Sequence, residues 1–310
     1  MEIYETQSEI AKRKSWLLSL VVIVLVAFGV LIILQVIALA LSPLLFGVSI
    51  PEIMGLLSGD FAVPNGRLAM YFIQGIGSGI GFWVAAYIIY RFIDQANLRW
   101  ELQFARFSWA GVGLVLVISL CGMLFNSFLV HLNSQLILPE FMSGIELWMK
   151  GMEERLMELT KYLTDFQSVP ELLIGLLVIG VLAGIGEEML FRGVLQPKMH
   201  LYTGSAHAGV WLTAIIFSAI HMQFYGFLPR VFLGAVFGYL YLFSGSLVYP
   251  ILGHIFNNSI TVLMIYMSNE GIVEFDMESK DAVSYPAALI GLLGLLAGIY
   301  YFKKMKKPNG

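Results

Sequence analysis

Three short polar groups interrupt apolar stretches in the second half of the chain, and their residue types are those of acid–base chemistry. Gly186-Glu187-Glu188-Met189-Leu190-Phe191-Arg192 sets two adjacent carboxylates and an arginine near the end of an apolar run that begins near Pro170. Phe217-Ser218-Ala219-Ile220-His221 and His254-Ile255-Phe256-Asn257-Asn258 add two imidazoles and an amide. A charge at membrane depth is costly, so an ionisable residue inside an apolar segment is a functional-site hypothesis by default. Of 21 acidic residues, only Glu187 and Glu188 read as lying inside such a segment rather than in a loop or at a membrane edge.

Helix geometry separates the roles. Glu188 and Arg192 stand at i and i+4, which predicts an ion pair on one face. Glu187 is rotated by about 100° from Glu188 and shares a face with Gly180, Ala183 and Gly184, where a second helix can come close. It is the carboxylate without a built-in cation, hence the candidate general base, and Glu188–Arg192 is the clamp that orients the helix end. His254 and Asn258 are also at i and i+4 and supply two donors for a developing oxyanion. His221 is left to hold water with Glu187. Base, water holder and oxyanion donors make a parts list for amide hydrolysis without a covalent intermediate. At ~1.5 Å per residue, Glu187 and His221 each lie roughly 20 Å along their helices from the turn joining them, Asn258 roughly 18 Å and His254 about 12 Å from the turn near Gly245. The four share a depth range counted from one side.

The elements that must position them form an all-α, polytopic membrane helical bundle. The 310 residues are 58% hydrophobic, with a mean hydropathy of +0.81. Eight stretches are long enough to span a bilayer, at 15–42, 68–92, 107–134, 170–191, 207–225, 228–244, 246–268 and 285–302. The first reads as a retained signal anchor, and the sixth is short and broken by Gly234 and Gly238. Residues 1–310 read as one membrane domain, with 170–262 as a four-helix catalytic core. Near 141–166, Ile145, Trp148, Met149, Met152, Leu156, Leu159 and Leu163 recur at helical spacing with charges on the other faces. That pattern predicts an amphipathic helix at the outer interface. Ser168, Pro170 and Glu171 predict a capping box opening the next span. Gly75, Gly77, Gly79 and Gly81 read as close helix packing rather than a phosphate loop. With the amino terminus cytoplasmic, Lys12, Arg13, Lys14, Arg91, Arg99, Arg106, Arg192, Lys198, Lys303, Lys304, Lys306 and Lys307 fall inside, against Arg67, Lys150, Arg155, Lys161, Arg230 and Lys280 outside. Both termini are therefore expected inside, in the plasma (inner) membrane. One cysteine, Cys121, leaves no disulfide framework, and no nucleic-acid patch is present.

The succession Glu187-Glu188-x-x-x-Arg192, Phe217-x-x-x-His221 and His254-x-x-x-Asn258 resembles the CAAX-protease and bacteriocin-processing (CPBP, or Abi) family of intramembrane endopeptidases, which includes the type II CAAX prenyl endopeptidase. The likeness covers about residues 170–262, with all three motifs in family order. It implies Glu187 as catalytic glutamate, His221 as its water-positioning partner and His254 and Asn258 as the oxyanion pair, in a cavity open to the cytoplasm. It also implies a peptide or a lipidated protein tail as substrate. Glu187, His221 and His254 could supply three ligands to Zn²⁺. However, no H-E-x-x-H motif occurs and supporting carboxylates for the histidines are not found. No cofactor is therefore favoured, with Zn²⁺ the alternative.

Other readings of the same residues stand beside this one. His131, His200 and His207 read as hydrogen-bonded packing residues, and Asn126 and Gln74 as glue between helices. Phe224, Tyr225, Phe227, Tyr239 and Tyr241 read as packing or interface residues, with a groove lining as the alternative. A non-proteolytic bacteriocin-immunity or scaffold protein is the competing function, and a proton-coupled transporter using Glu187 is a weaker one, because the two halves show no inverted repeat.

Overall fold

A computed structural model describes residues 13–96, 107–276 and 284–305. Lys12, Arg99, Arg106, Lys280, Lys306 and Lys307 lie outside the described residues. Among the described residues, ten helices longer than a single turn follow in chain order: α1 (Trp16–Phe46), α2 (Ile50–Leu57), α3 (Gly66–Ile93), α4 (Trp109–Ser134), α5 (Ser143–Thr164), α6 (Val169–Thr203), α7 (Ala206–Ala219), α8 (Phe227–Ser244), α9 (Val248–Asn269) and α10 (Tyr285–Lys304). Among the described residues, seven are long and apolar enough to cross a bilayer: α1, α3, α4, α6, α8, α9 and α10. The chain is a polytopic membrane bundle. Large apolar side chains such as Leu25, Ile33, Trp109 and Leu293 point outward, the arrangement a lipid solvent favours and water does not.

Specific polar ties define the two faces. On the face that holds the chain ends, Lys198 Nζ donates to Ser19 Oγ at 2.7 Å and pairs with Asp94 Oδ1 at 2.7 Å. All three residues are fully buried, and they join the start of α1, the end of α3 and the end of α6. On the opposite face, Arg67 Nε donates to Tyr162 O at 2.9 Å and Nη1 pairs with Glu171 at 2.7 Å. The Tyr71 hydroxyl donates to the Leu163 carbonyl nearby. These contacts hold α5, which lies over that face as the amphipathic pattern predicts, against α3 and α6.

Several boundaries differ from the hydropathy reading. The fifth stretch crosses with a short helix: α7 stops at Ala219 after 14 residues, and 220–226, which completes the passage to α8, is not helical. Asn133 at the end of α4 replaces the missing ladder. Its Nδ2 donates to Phe224 O and its Oδ1 accepts from Leu228 N, both at 2.8 Å. Irregular backbone at such depth is tolerated only where protein satisfies it in this way. The fourth stretch instead runs on to Thr203. Pro197 lacks a backbone donor, and the turn before it, Phe191–Leu195, is wound as a π-helix, a local adjustment that absorbs a proline in a membrane helix. Lys198 is therefore a buried helical residue, not a loop charge. Gly234 and Gly238 do not break α8, which is continuous. A Cβ at Gly234 would stand 3.1 Å from Ala214 Cβ and one at Gly238 2.9 Å from Val210 Cγ1, so the two glycines let α7 press onto α8. The capping box is half formed: Ser168 accepts from Glu171 N, but the Glu171 carboxylate is drawn to Arg67 and accepts from Gln167 N instead.

Breaking a buried pair by removing one partner costs about 3–5 kcal/mol, whereas apolar replacement of both is near neutral. Asp94→Ala should therefore lower the melting temperature of the protein in detergent strongly. Asp94→Leu combined with Lys198→Met should recover most of the loss in the same thermal scan.

Candidate active site

Backbone proximity builds this site. On α6, Gly180 and Gly184 stand four residues apart and face Ser259 and Ile255 on α9, also four apart. A Cβ at Gly180 would be 2.5 Å from Ser259 Oγ, and one at Gly184 would be 2.8 Å from Ile255 Cγ1. Small residues let membrane helices approach this closely. The same face of α6 carries Glu187, so the contact brings it beside His254 and Asn258. Behind α6, a Cβ at Gly186 would collide with the Gly79 carbonyl oxygen on α3, and one at Gly79 would meet Leu182 Cβ at 2.7 Å. The glycine-rich run of α3 is a packing surface, as its pattern suggested.

Glu188 and Arg192 pair at 2.7 Å, with both side chains fully buried. The guanidinium also donates from Nη2 to Gly234 O at 2.7 Å. It lies over the rings of Phe217 and Phe237, at 5.0 and 5.7 Å from their centroids. Arg192 is thus a bundle-core residue and drops out of the membrane-edge charges. The same Glu188 oxygen accepts from His254 Nδ1 at 2.8 Å. Glu188 is the supporting carboxylate for an imidazole that spacing alone did not disclose. The His254 ring is stacked on Phe237 at 5.2 Å, and its Nε2 faces Glu187 Oε2 at 3.8 Å, beyond direct hydrogen-bond distance.

The remaining residues surround the same space. Glu187 is 14% exposed where Glu188 is closed off. His221 Nδ1 lies 2.7 Å from Phe217 O; a carbonyl can only accept, so Nδ1 carries the hydrogen and Nε2 is left as an acceptor. Asn258 Nδ2 donates to Ile179 O at 3.0 Å, a carbonyl in the π-helical turn Leu176–Leu182. An amide nitrogen has two hydrogens, and Ile179 takes one. Glu187, His221, His254 and Asn258 all line one cavity of about 550 Å³. None of Phe224, Tyr225, Phe227, Tyr239 or Tyr241 is among its lining residues. His207 is bonded to Tyr239 at 3.0 Å, a packing role.

The cavity extends away from the start of α1 and the end of α10. From Glu187 and His254 its wall continues through Ile179 on α6, Thr160 and Thr164 on α5, Gln223 and Arg230, all toward the face that α5 covers. Counting depth from the turn at 198–207 located the residues without revealing which way the cavity extends. Arg230, a lining residue, is the one that sequence reading missed: it was counted as an ordinary outer-face charge. The available signal was a cation inside the apolar run 227–244. Among the described residues, no three of His, Cys, Asp and Glu converge closely enough to hold a metal ion. His221 Nδ1 is turned to a backbone carbonyl and His254 Nδ1 to Glu188, so each ring keeps its Nε2 free, and Glu188 is a supporting carboxylate of the kind that the sequence did not disclose.

Residues 169–260 match the family model described as type II CAAX prenyl endopeptidase Rce1-like. The chain is 25% identical over 180 residues to "Uncharacterized protein YpbD" of Bacillus subtilis, covering 56% of this chain and 77% of that protein. It is 34% identical over 100 residues to an "Uncharacterized 24.3 kDa protein" of Escherichia coli, covering 31% of this chain and 46% of that one. It is 26% identical over 236 residues to "Putative membrane peptidase YdiL" of Bacillus subtilis, covering 75% and 85%. No solved structure matches.

Overpacking a tight contact costs about 1–3 kcal/mol. Gly186→Ala should therefore lower the melting temperature, whereas Gly113→Ala, where a Cβ meets nothing within 4 Å, should leave it unchanged. Equal melting curves for the two variants would contradict the packing described.

Proposed function

We propose that this chain, which over residues 169–260 belongs to the Rce1-like family of membrane proteases, hydrolyses a peptide bond in a membrane-associated peptide or protein tail, with Glu187 as the base. The observation that carries the reading is the unequal treatment of two neighbouring carboxylates. Glu188 is closed off and spends one oxygen on both Arg192 and His254, while Glu187 faces the cavity without a salt-bridging cation from Lys or Arg. A carboxylate closed off from the cavity and paired with a cation is a poor base; one that faces substrate space can take a proton.

In this scheme a water molecule gives one hydrogen to His221 Nε2 and the other to Glu187. Glu187 removes its proton as the oxygen attacks the substrate carbonyl carbon. The oxyanion is met by the second N–H of Asn258 and by His254 Nε2, which donates when the ring carries both hydrogens. Glu187 then passes the proton to the leaving amine nitrogen as the C–N bond breaks. Glu188 and Arg192 do not touch substrate; they fix the ring of His254. No metal takes part in this route.

The direction of access follows from charge. Arg192 and Lys198 are buried and Arg230 lines the cavity, so none of them counts as an edge charge, which leaves Lys12, Arg13, Lys14, Arg91, Arg99, Arg106, Lys303, Lys304, Lys306 and Lys307 for the face of the chain ends against Arg67, Lys150, Arg155, Lys161 and Lys280 on the other. By the positive-inside bias the chain ends are cytoplasmic in a plasma membrane, and the cavity takes its substrate from the extracytoplasmic side. This reverses the access that the resemblance implied.

Glu187→Gln should reduce cleavage of a peptide library by about 10²–10⁴-fold with an unchanged melting temperature, and the wild type should keep its activity through chelator treatment. Full activity of Glu187→Gln would end the assignment. In cells carrying Cys121→Ser, a cysteine at Glu154 should react with an impermeant maleimide added outside, and one at Thr203 only after lysis. The reverse pattern would overturn the orientation.

A further inference from the structure

We infer that Arg230 is a specificity residue of this same site, docking a carboxylate of the substrate in the cavity. The inference rests on the proteolytic reading and adds the chemistry of the ligand. Arg230 lies in the first turn of α8 and lines the cavity that holds Glu187. Its Nη2 donates to Gln223 Oε1 at 2.6 Å, while its Nη1 is buried with no hydrogen-bond acceptor.

The comparison with the other arginines of the bundle is what points to a ligand. Arg67 has Tyr162 O, Glu171 and Asp165 as acceptors, and Arg192 has Glu188 and Gly234 O. Each of those cations is paired with a carboxylate of the chain itself. Arg230 is bonded only to the neutral amide of Gln223, although the charges of Glu153 and Glu187 act on it. A buried guanidinium nitrogen without an acceptor is costly, and the planar fork of donors is matched best by a carboxylate. Gly226 gives the group its space: a Cβ there would stand 3.1 Å from Nη2. A carboxylate docked beside Arg230 in the cavity would supply the acceptor that Nη1 lacks. It would be either the free carboxyl terminus of a peptide or an acidic side chain, and the chemistry is shared.

The test uses the full chain in nanodiscs and quenched-fluorescence peptide pools in matched forms. One pair differs in a free-acid or amidated carboxyl terminus; a second, amidated pair differs in a Glu or Gln at each internal position. Binding of the same pools to Glu187→Gln is measured in parallel, so that recognition is read without cleavage. In wild type, one carboxylate form should exceed its neutral partner in kcat/KM by roughly 10–100-fold, the size expected for a charge-assisted hydrogen bond. The preference should lie mainly in KM and recur in binding to Glu187→Gln. Arg230→Gln should bring the ratio near one, and Arg230→Lys should restore part of it. Preference in the first pair identifies a carboxyl terminus, and preference in the second an acidic side chain. An unchanged ratio in Arg230→Gln, or equal losses for charged and neutral forms, would overturn the inference. Carboxylate-selective binding with no cleavage by any form would instead fault the protease reading and leave Arg230 as assigned.

Discussion

Glu188 is the residue on which the arrangement depends. A carboxylate and a guanidinium buried together lose more hydration than a single ion pair returns, unless further hydrogen bonds use the remaining groups. Here they do so in part: one Glu188 oxygen takes both Arg192 and His254, Arg192 adds the Gly234 carbonyl, and two phenylalanine faces cover the guanidinium, while Glu188 Oε2 and Arg192 Nε have no hydrogen-bond partner. These bonds link α6 to α8 and to α9 in a single cluster. The cluster fixes the imidazole of His254 from behind, through Nδ1, and leaves Nε2 toward the cavity. Because the inner carboxylate absorbs the cation, its neighbour in sequence is left to the cavity.

That cluster can form only where backbones come close, and the helix that carries it is wound irregularly on both sides. The α-helical segment Ala183–Leu190 sits between π-helical turns at Leu176–Leu182 and Phe191–Leu195. The first turn holds the Ile179 carbonyl that accepts from Asn258. The second precedes Pro197 and carries Arg192 itself. Glycines on three sides of α6 (Gly79, Gly180 with Gly184, and Gly234 across Arg192) remove the side chains that would hold the helices apart. Packing and chemistry are thus one constraint, since side chains at those positions would separate the groups they position.

What could be read from the sequence was what depends on local spacing. The i, i+4 relation alone gave the Glu188–Arg192 pair, the common face of His254 and Asn258, and the glycine face beside Glu187. Hydropathy gave the long spans, and helical periodicity gave α5. What escaped depends on partners far along the chain. Lys198 looked like a loop charge because Asp94 stands 104 residues away. The end of the fifth stretch looked helical because the residue that satisfies its loop, Asn133, belongs to α4. Glu188 could not be matched to His254 because pairing in sequence offered it only Arg192. The direction in which the cavity extends depends on how α5 and 220–226 lie over the bundle, which no single helix encodes.

The walls of the cavity carry the argument one step further, to how a peptide backbone can be held at that depth. Its N–H and C=O groups must find partners, because lipid offers none. The hydroxyls of Thr160, Thr164 and Thr261 donate to carbonyls of their own helices. Each therefore presents only lone pairs to the cavity. Asn126, read at first as glue between helices, has a buried Oδ1 without a hydrogen-bond partner in the same wall. The same wall also holds donors: the second N–H of Asn258 and the nitrogen of His254 when it carries hydrogen. An extended peptide carries N–H and C=O groups along each of its edges, so a wall that offers both acceptors and donors can satisfy its backbone before any side chain is read. The one carbonyl that meets Asn258 and His254 is then the one on which negative charge develops when water held by Glu187 attacks.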